Sequence, residues 1–323
     1  MAEKKHSNLL VLDILTEYSD ADHILSVKDI QKILKEEYGI DLERRTIYSN
    51  LGILQQEGYE ISTYNENGRG YYLAERQFEK GEVLLLCNAI HASHFISQKQ
   101  SNKIIKTLLK TQSKYDAKEF TDNVYMPNPK KTLNKDMMVN VETISEAIQK
   151  HRVLQFTYLK YDKDKNLVPR RDEPYIVEPR YIVYADSRAY MIVTSPKHKD
   201  YTHYRIDRMS DLKILDEKVR PLKKNKDPYE YAQNKLFMFT GDIETVTFRC
   251  KNDVLDQMID VFGTDIGISG NDKDTFTFTV KAPRTGALYL AQQYMDSIEI
   301  TAPQSLREEF KENLKQAVKK YKN

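Results

Sequence analysis

The stretch LERRTIYSNLGILQQEGYEI at residues 42–61 combines an apolar stripe with a crowded polar face. Ile47, Leu51 and Leu54 recur at positions i, i+4 and i+7, which is the spacing of one face of an α-helix. The polar residues of the stretch include two adjacent arginines, a threonine, a tyrosine, a serine and an asparagine. The sequence therefore predicts a helix that packs along one side and is available to bind along the other.

Two further helices are predicted in front of this one. A helix-period run of leucine and isoleucine occupies residues 9–15, and a second amphipathic run begins after Ser26. Ser26 and Asp29 have the spacing of a capping box, and Gly39 is typical of a helix end. A short turn between amphipathic helices of this size is helix-turn-helix spacing.

The sequence after the third helix predicts a β-hairpin. Residues 60–74 alternate in polarity and turn at Asn67 and Gly68, a dipeptide that favours tight turns between strands. Arg69 stands at the predicted tip. Three helices followed by a hairpin with a basic tip is the order of a winged helix-turn-helix domain, which we assign to residues 1–76.

The polar face of the third helix and the hairpin tip carry groups that recognise nucleic acid. An arginine fork donates to guanine edges or phosphates, and serine, asparagine and tyrosine add hydrogen bonds. Residues 1–76 nevertheless hold nine Lys and Arg against 14 Asp and Glu, which repels DNA overall and favours a protein-interaction module instead. Local placement of cations matters more at contact distance. The predicted DNA contacts are Arg44, Arg45, Thr46, Tyr48, Ser49, Asn50, Asn67 and Arg69.

Length and composition limit the class of protein. The 323 residues suggest two to three domains, and the two cysteines are too far apart for a disulfide framework. No signal peptide or membrane-spanning run is visible, so we expect a cytoplasmic protein without membrane partners. No phosphate-binding loop, hydrolase motif or metal-ligand set is present. We therefore expect no enzymatic activity, no cofactor and no metal.

Residues 77–139 predict a mostly helical linker. Cys87, His91 and His94 lie close together in sequence, but no fourth metal ligand accompanies them, and a packed helix is the better interpretation. Residues 127–131 have the composition of a basic connector between domains.

Residues 140–220 predict a short helix followed by several short strands with polar turns. This pattern is typical of a small, strongly bent β-barrel. Arginines and tyrosines stand together in it, and they can grip phosphate or stack on planar ligands. The candidate effector-binding residues, centred on the arginine at position 205, are Tyr158, Arg180, Tyr190, His203, Tyr204, Arg205 and Arg208.

The arginines of this segment have a second interpretation. If they lie on a strand, Arg205 and Asp207 share one face and Arg208 points away. For Arg205 and Arg208, structural ion pairs with Asp207, Asp211 or Glu178 are the alternative to ligand binding. The tyrosines are also ordinary strand residues on half-buried faces.

Residues 226–323 predict the element order β-α-β-α-β-α, which suggests a compact α+β sandwich. The whole chain is therefore predicted to be α+β and multi-domain. Its predicted parts are a winged helix-turn-helix, a helical linker, a small β-barrel and a C-terminal α/β sandwich.

Several stretches resemble one family of regulators. RRTIYSNLGILQQEGYEI followed by NGRGYYL is similar to the winged helix of DeoR-like, WYL-domain transcriptional regulators. AIQKHRVLQFTYLKYD, VEPRYIVYADSRAYMIV and YTHYRIDRMSDLKIL together resemble a WYL domain from end to end. The tripeptide Trp-Tyr-Leu that gives the family its name is altered here. Ala189 and Met191 stand at the tryptophan and leucine positions, and Tyr190 retains the central tyrosine. The part after residue 226 resembles the extension that commonly follows WYL domains.

The resemblance implies a transcriptional regulator whose WYL domain is an Sm-like barrel for sensing ligands. We expect a homodimer that binds a palindromic operator in double-stranded DNA, as a repressor rather than an activator. The dimer contact is expected in the helical linker, and the effector is a nucleotide, an oligonucleotide or a small metabolite. The alternative is a non-operator nucleic-acid-binding or scaffold protein that binds through the barrel and uses the winged helix as an interaction module.

Overall fold

The computed structural model describes residues 7–123, 131–185, 187–195, 198–221, 238, 243–270 and 273–322. The predicted basic connector at 127–131 lies outside these ranges apart from its last residue, and so does the predicted start of the fourth segment at 226. The chain divides into two compact units, Met1–Lys135 and Asp136–Asn323.

The first unit begins with three helices that share one apolar core. Ile47 and Leu54 are fully buried, and Leu51 is 3% exposed, which confirms the predicted apolar stripe. The predicted capping box is also confirmed: the Ser26 hydroxyl accepts from the Asp29 amide, and the Asp29 carboxylate accepts from the Ser26 amide at 2.8 Å. The bounds are α1 (Ser7–Tyr18), α2 (Val27–Tyr38) and α3 (Arg44–Gln56).

Two short antiparallel strands follow, β1 (Ile61–Ser62) and β2 (Tyr72–Leu73). The predicted tight turn at Asn67 and Gly68 is wrong, because a one-turn helix, α4 (Tyr64–Asn67), lies between the strands. Thr63 and Glu66 form a capping box that starts this helix, and Gly68 ends it in the left-handed conformation at φ 68°. Local capping therefore makes the connection longer than a two-residue turn. We call the segment from β1 to β2 the ribbon.

Three more helices follow in the described part of the first unit. Val83, Cys87 and Phe120 form their buried core, against which the apolar face of the second of these helices packs. Burial raises the pKa of the Cys87 thiol, as expected for a packed cysteine. The bounds are α5 (Lys80–Ala92), α6 (Gln98–Leu109) and α7 (Lys114–Asn123).

The second unit opens with a helix, α8 (Met137–Gln149), and a six-stranded antiparallel sheet. The strand order is β4-β3-β5-β6-β7, and β8 pairs with β3. A 3₁₀-helix, Ile206–Arg208, separates the last two strands, so the expected strand through these residues is wrong. The bounds are β3 (Arg152–Tyr161), β4 (Leu167–Pro169), β5 (Tyr175–Ala185), β6 (Arg188–Ser195), β7 (His198–Arg205) and β8 (Met209–Lys218).

A four-stranded antiparallel sheet of order β10-β11-β9-β12 follows. Val246, Phe248 and Cys250 alternate on its buried face, where the helices of this region pack. The predicted alternation of strands and helices is present, with β10 as an additional short strand. The bounds are β9 (Ile243–Lys251), α9 (Leu255–Phe262), β10 (Ile268–Ser269), β11 (Thr275–Pro283), α10 (Arg284–Gln293), β12 (Ile298–Ala302) and α11 (Gln304–Lys320).

The chain is thus a mixture of α and β structure with several sheets. In the described ranges no helix is both long enough and apolar enough to cross a membrane. Within the same ranges no three His, Cys, Asp or Glu side chains lie together in the manner of metal ligands.

Candidate functional site

The outward face of α3 carries most of the predicted contact residues. Arg44, Arg45, Tyr48 and Ser49 are exposed, and Thr46 is half-buried. Tyr48 keeps 53% of its surface exposed, which is high for a large ring. In the described parts of the chain neither arginine forms an ion pair. These side chains are therefore free to meet an external partner.

Asn50 does not belong to this face, so its prediction as a DNA contact is wrong. The residue is only 5% exposed, and its Nδ2 donates to the Ser7 hydroxyl of α1 at 2.9 Å. It follows Ile47 by three positions, and residues with that spacing lie on the same side of a helix. Asn50 therefore joins α3 to α1 inside the unit.

Asn67 shapes the ribbon instead of presenting its amide outward. Its Oδ1 accepts from the amides of Arg69 at 2.7 Å and Gly70 at 2.9 Å. Its Nδ2 donates to the Ser62 hydroxyl and to the Gly70 carbonyl. The amide is thus occupied on both sides, and the neighbouring Arg69 is left exposed at the tip.

Gly70 seats the ribbon against the start of α2. Leu25 and Tyr71 exchange two backbone hydrogen bonds, of 2.9 and 2.8 Å. A Cβ atom at Gly70 would stand 2.3 Å from the Leu25 carbonyl oxygen, closer than any real side chain allows. Only glycine fits this approach.

The ribbon, α2 and α3 enclose a surface cleft of about 230 Å³, which we call the ribbon cleft. Three cationic side chains, Lys28, Arg44 and Arg69, line it, and no carboxylate does. The rings of Tyr48 and Tyr71 meet edge to face with centroids 6.3 Å apart. The cleft is therefore cationic although residues 1–76 are acidic overall. The full lining is Ser26, Val27, Lys28, Arg44, Tyr48, Tyr64, Arg69, Gly70 and Tyr71.

Lys28, Tyr64 and Tyr71 were missed by sequence reasoning. Tyr64 is 57% exposed and, with Tyr71, brings aromatic surface to the cleft. For these three residues, the sequence offered one signal of nucleic-acid binding, the basic Lys28 in the first turn of α2. Its convergence with α3 depends on the contact between Leu25 and Tyr71, which no local pattern reveals.

In the six-stranded sheet, Arg205 is held by a carboxylate. Its Nε and Nη2 donate to the two oxygens of Asp207 at 3.0 and 2.7 Å. Asp207 is 1% exposed, and Arg188 Nη1 lies 3.8 Å from the same carboxylate. Burial alone would lower the pKa of Arg205, but the bonds to Asp207 outweigh it and raise the pKa. The pKa of Arg188 is lowered by burial and by the charge of Arg205.

Tyr190 and His203 lie beside this pair as predicted. The register of β6 and β7 places Tyr190 opposite Arg205, and the rings of Tyr190 and His203 meet edge to face at 5.5 Å. Tyr190 is only 9% exposed. His203 Nε2 lies 2.6 Å from the Met238 carbonyl oxygen. The predicted cluster is assembled, but its polar atoms face partners within the protein.

Tyr158 and Tyr204 belong to an aromatic cluster with Phe156 and Tyr175. The ring centroids of Tyr158 and Tyr204 are 5.1 Å apart. The Tyr158 hydroxyl accepts a hydrogen bond from the Arg205 amide at 3.2 Å. Burial is the main cause that raises the pKa of both phenols. The exposed Arg171 covers the ring of Tyr175 at 3.7 Å, so one edge of the cluster reaches the surface.

Arg180, which was predicted to bind the effector, has its guanidinium bound to partners within the protein. It donates to the Thr194 hydroxyl at 2.9 Å and forms an ion pair with Glu178 at 3.1 Å. Arg220 Nε approaches the same carboxylate at 2.6 Å. Arg208 stacks on Tyr161 with its guanidinium carbon 4.4 Å from the ring centroid. The ion-pair alternative is therefore present for Arg205, and Arg180 forms an ion pair that the sequence did not predict.

Comparison with known proteins identifies one domain. Residues 139–214, from α8 into β8, match the WYL domain model, so the chain contains a WYL domain. The altered tripeptide at residues 189–191 is buried, and Ala189 and Met191 are fully enclosed. No curated protein sequence matches the chain.

Two solved structures are similar to the chain. The first is proteasome accessory factor B/C (PafBC) of Arthrobacter aurescens, at 15% identity and a TM-score of 0.29, with 99% of this chain and 49% of that chain covered. The second is a CRISPR Cas-related protein, at 14% identity and a TM-score of 0.39, with 99% and 85% covered. The chain thus spans about half the length of the first protein.

Proposed function

We propose that the protein is a DNA-binding transcriptional regulator in which residues 1–76 act as a winged helix-turn-helix. The observation that carries the proposal is the ribbon cleft, where three cations and three tyrosines converge without any carboxylate. Sequence-independent attraction to phosphate requires such uncompensated cations.

The exposed face of α3 is proposed to enter the major groove. Arg44 and Arg45 open this helix, where their forks reach guanine edges or the flanking phosphates. Arg69 at the ribbon tip and Lys28 at the start of α2 then contact the backbone on either side. The proposed contact set is Lys28, Arg44, Arg45, Thr46, Tyr48, Ser49, Tyr64 and Arg69.

The WYL domain, which in this proposal is an Sm-like barrel, is the proposed sensor. Of the predicted arginines, Arg208 is the remaining candidate for an anionic effector, because its guanidinium stacks on Tyr161. Arg188 is added to it, because the Asp207 carboxylate 3.8 Å away is already bound by Arg205. A nucleotide, an oligonucleotide or a phosphorylated metabolite fits guanidinium groups beside tyrosines. Binding there would shift the population of DNA-competent homodimers on a palindromic operator, with repression as the basal state.

A second candidate function is supported by Arg171 on Tyr175. An exposed guanidinium stacked on an aromatic cluster can receive an unpaired base. In this alternative the WYL domain is the main nucleic-acid-binding surface and the winged helix is an interaction module.

Duplex binding tests the proposal. The full chain is mixed with fragments from the region upstream of its own gene at two salt concentrations, and the affinity is measured by mobility shift. A specific, salt-dependent complex is expected, and Arg45→Ala should weaken it about 10-fold or more, the usual cost of one lost arginine contact.

The matched control is Lys35→Ala, which removes an exposed cation of α2 that does not line the cleft. It should change the affinity less than about 2-fold, as an uninvolved surface charge does. Binding to single strands only, lost with Arg171→Ala and kept with Arg45→Ala, would instead establish the alternative.

A further inference from the structure

Helix α6 has an unusual charge composition. Residues 98–115 contain five lysines and no aspartate or glutamate. Four of them, Lys99, Lys103, Lys106 and Lys110, follow at intervals of four, three and four residues, and all four are exposed. We call these four residues the lysine stripe.

The lysine stripe occupies one side of the helix. At 3.6 residues per turn its members fall within about 60° of arc and extend over about 16 Å. The opposite side carries Ile105, Leu108 and Leu109, which pack against the core of α5 and α7. The lysine stripe therefore lies on the side of α6 that faces away from this core.

This row is unfavourable for the helix itself. Like charges at spacings of three and four residues repel each other and destabilise an isolated helix. The usual remedy is a carboxylate one turn away, as on α11, where Lys311 and Lys315 approach Glu308 and Glu312. Within the described residues no member of the lysine stripe forms an ion pair. The helix itself therefore offers no carboxylate to compensate this charge.

One intramolecular explanation accounts for half of the row at most. Lys106 and Lys110 line a cleft of about 480 Å³ whose other wall includes Asp13 and Glu17 of α1. Lys99 and Lys103 do not line this cleft. Attraction between α6 and α1 therefore leaves the first two lysines unexplained.

The end of α6 is fixed to the helix that supports α3. Arg76 donates to the carbonyls of Thr16 in α1 and Ser19 directly after α1. It also donates to the carbonyl of Thr111 after α6. The Ser113 hydroxyl donates to the Asp20 carboxylate at 2.6 Å. These bonds hold the lysine stripe at a defined place relative to α1, and Asn50 does the same for α3.

We propose that the lysine stripe binds the phosphate backbone of the duplex DNA that α3 engages, so that the contact surface extends beyond the ribbon cleft. Its length corresponds to about five base-pair steps of 3.4 Å. A nucleic acid fits better than an acidic protein, because lysine is depleted from protein interfaces and the row offers no apolar centre. The proposal rests on the function proposed above and adds a contact that is independent of sequence.

The test uses the full chain with all four lysines changed to glutamine. Affinity for the operator fragment and for an unrelated duplex is measured across a salt series. The slope of log affinity against log salt should become shallower by about 2 to 4, since each lost phosphate contact contributes about 0.9. Both affinities should fall by the same factor, of about 10-fold or more, and leave the preference for the operator unchanged.

The control changes Lys311, Lys315, Lys319 and Lys320 of α11 to glutamine, which removes the same charge from another exposed helix. An effect of equal size there would reduce the result to net charge and overturn the assignment. The pairs Lys99/Lys103→Gln and Lys106/Lys110→Gln are also made separately, so that misfolding of the fourfold variant leaves a test in place.

The outcomes separate the two proposals. A wild-type complex that depends on Arg45 but keeps its slope in the fourfold variant would overturn the lysine stripe alone. Lower thermal stability of the Lys106/Lys110 pair with unchanged DNA binding would assign it to packing against α1. No duplex binding by the wild type would overturn both proposals.

Discussion

The arginines of α3 and the ribbon differ from those of the six-stranded sheet in what surrounds their guanidinium groups. Arg44, Arg45 and Arg69 are exposed, and none has an ion-pair partner in the described ranges. Arg180 and Arg205 are each bound by a buried carboxylate two residues away, at 3.1 and 2.7 Å. The same residue type is thus available to a ligand in one region and part of the framework in the other.

The difference follows from the cost of burying charge. A buried carboxylate such as Asp207 requires a cation and hydrogen bonds at close range, so the arginine that supplies them is committed. An exposed arginine loses little by remaining unpaired, because water solvates it. The position of carboxylates, rather than of arginines, therefore separates binding surface from framework.

The largest expected effect comes from removing one such carboxylate. Asp207→Ala would leave Arg205 partly buried without its partner, and the free energy of unfolding should fall by about 3–5 kcal/mol. Arg45→Ala should change it by less than about 0.5 kcal/mol. Urea denaturation of both variants measures the contrast. Equal losses in the two variants would show that the two regions do not differ in this way.

A smaller effect is expected from glycine substitutions near the ribbon. Gly70→Ala places a Cβ against the Leu25 carbonyl, and the overpacking should cost about 1–3 kcal/mol. Its control is Gly52→Ala on α3, which meets open space and should stabilise the helix by about 0.5–1 kcal/mol. Thermal unfolding compares them. A tolerated Gly70→Ala would argue against the seating of the ribbon on Leu25.

Neighbouring residues on α3 sharpen the same contrast. Asn50→Ala removes the buried bond to Ser7, and the expected loss of stability is about 1 kcal/mol. Ser49→Ala, on the exposed face, should be close to neutral for unfolding and should affect DNA affinity instead. Chemical denaturation and mobility shift are applied to both variants. If Ser49→Ala lowered stability and Asn50→Ala lowered DNA affinity instead, the buried and exposed faces of α3 would have been assigned the wrong way round.

The smallest expected effect is a pH dependence, because it concerns a single proton. Burial by itself would raise the pKa of Glu178, but hydrogen bonds from Arg220 and Thr194 outweigh it and hold the pKa below its ordinary value. The carboxylate therefore stabilises the fold above its ordinary pKa and loses this contribution as the pH falls through the lowered value.

The difference in unfolding free energy between the wild type and Glu178→Gln should accordingly shrink between pH 6 and pH 3. Arg220→Ala, which removes one donor, should shift the loss toward higher pH. A difference that stays constant over this range would mean that the carboxylate is not specifically stabilised in the folded state.

The apolar periodicity correctly predicted α3 and its core residues. The residue type alone, however, led to the prediction of Asn50 and Asn67 as DNA contacts. The spacing that buries Ile47 also buries Asn50, and the attraction of an asparagine to base edges overrode that geometry in the prediction. Asn67 is likewise predicted as a DNA contact, whereas its side chain accepts hydrogen bonds from the amides of Arg69 and Gly70 within the ribbon.

The set of residues that line the ribbon cleft could not be predicted from the sequence, for a different reason. Lys28 and Arg69 are separated by 41 positions and meet only because Gly70 allows the ribbon to approach Leu25. The pairing of Arg205 with Asp207 was anticipated as an alternative, but the 3₁₀-helix that directs it was not. Contacts distant in sequence and breaks in regular strands both depend on tertiary packing.

Arg76 has a practical consequence for dividing the protein into fragments. A fragment that ends at residue 76 would retain the guanidinium but lose Thr111, one of its three carbonyl acceptors, together with the bond from Ser113 to Asp20. Ending the fragment after α7 at Asn123 keeps these bonds within the expressed piece. The smallest part of the chain suited to isolated study is therefore longer than its three leading helices and ribbon.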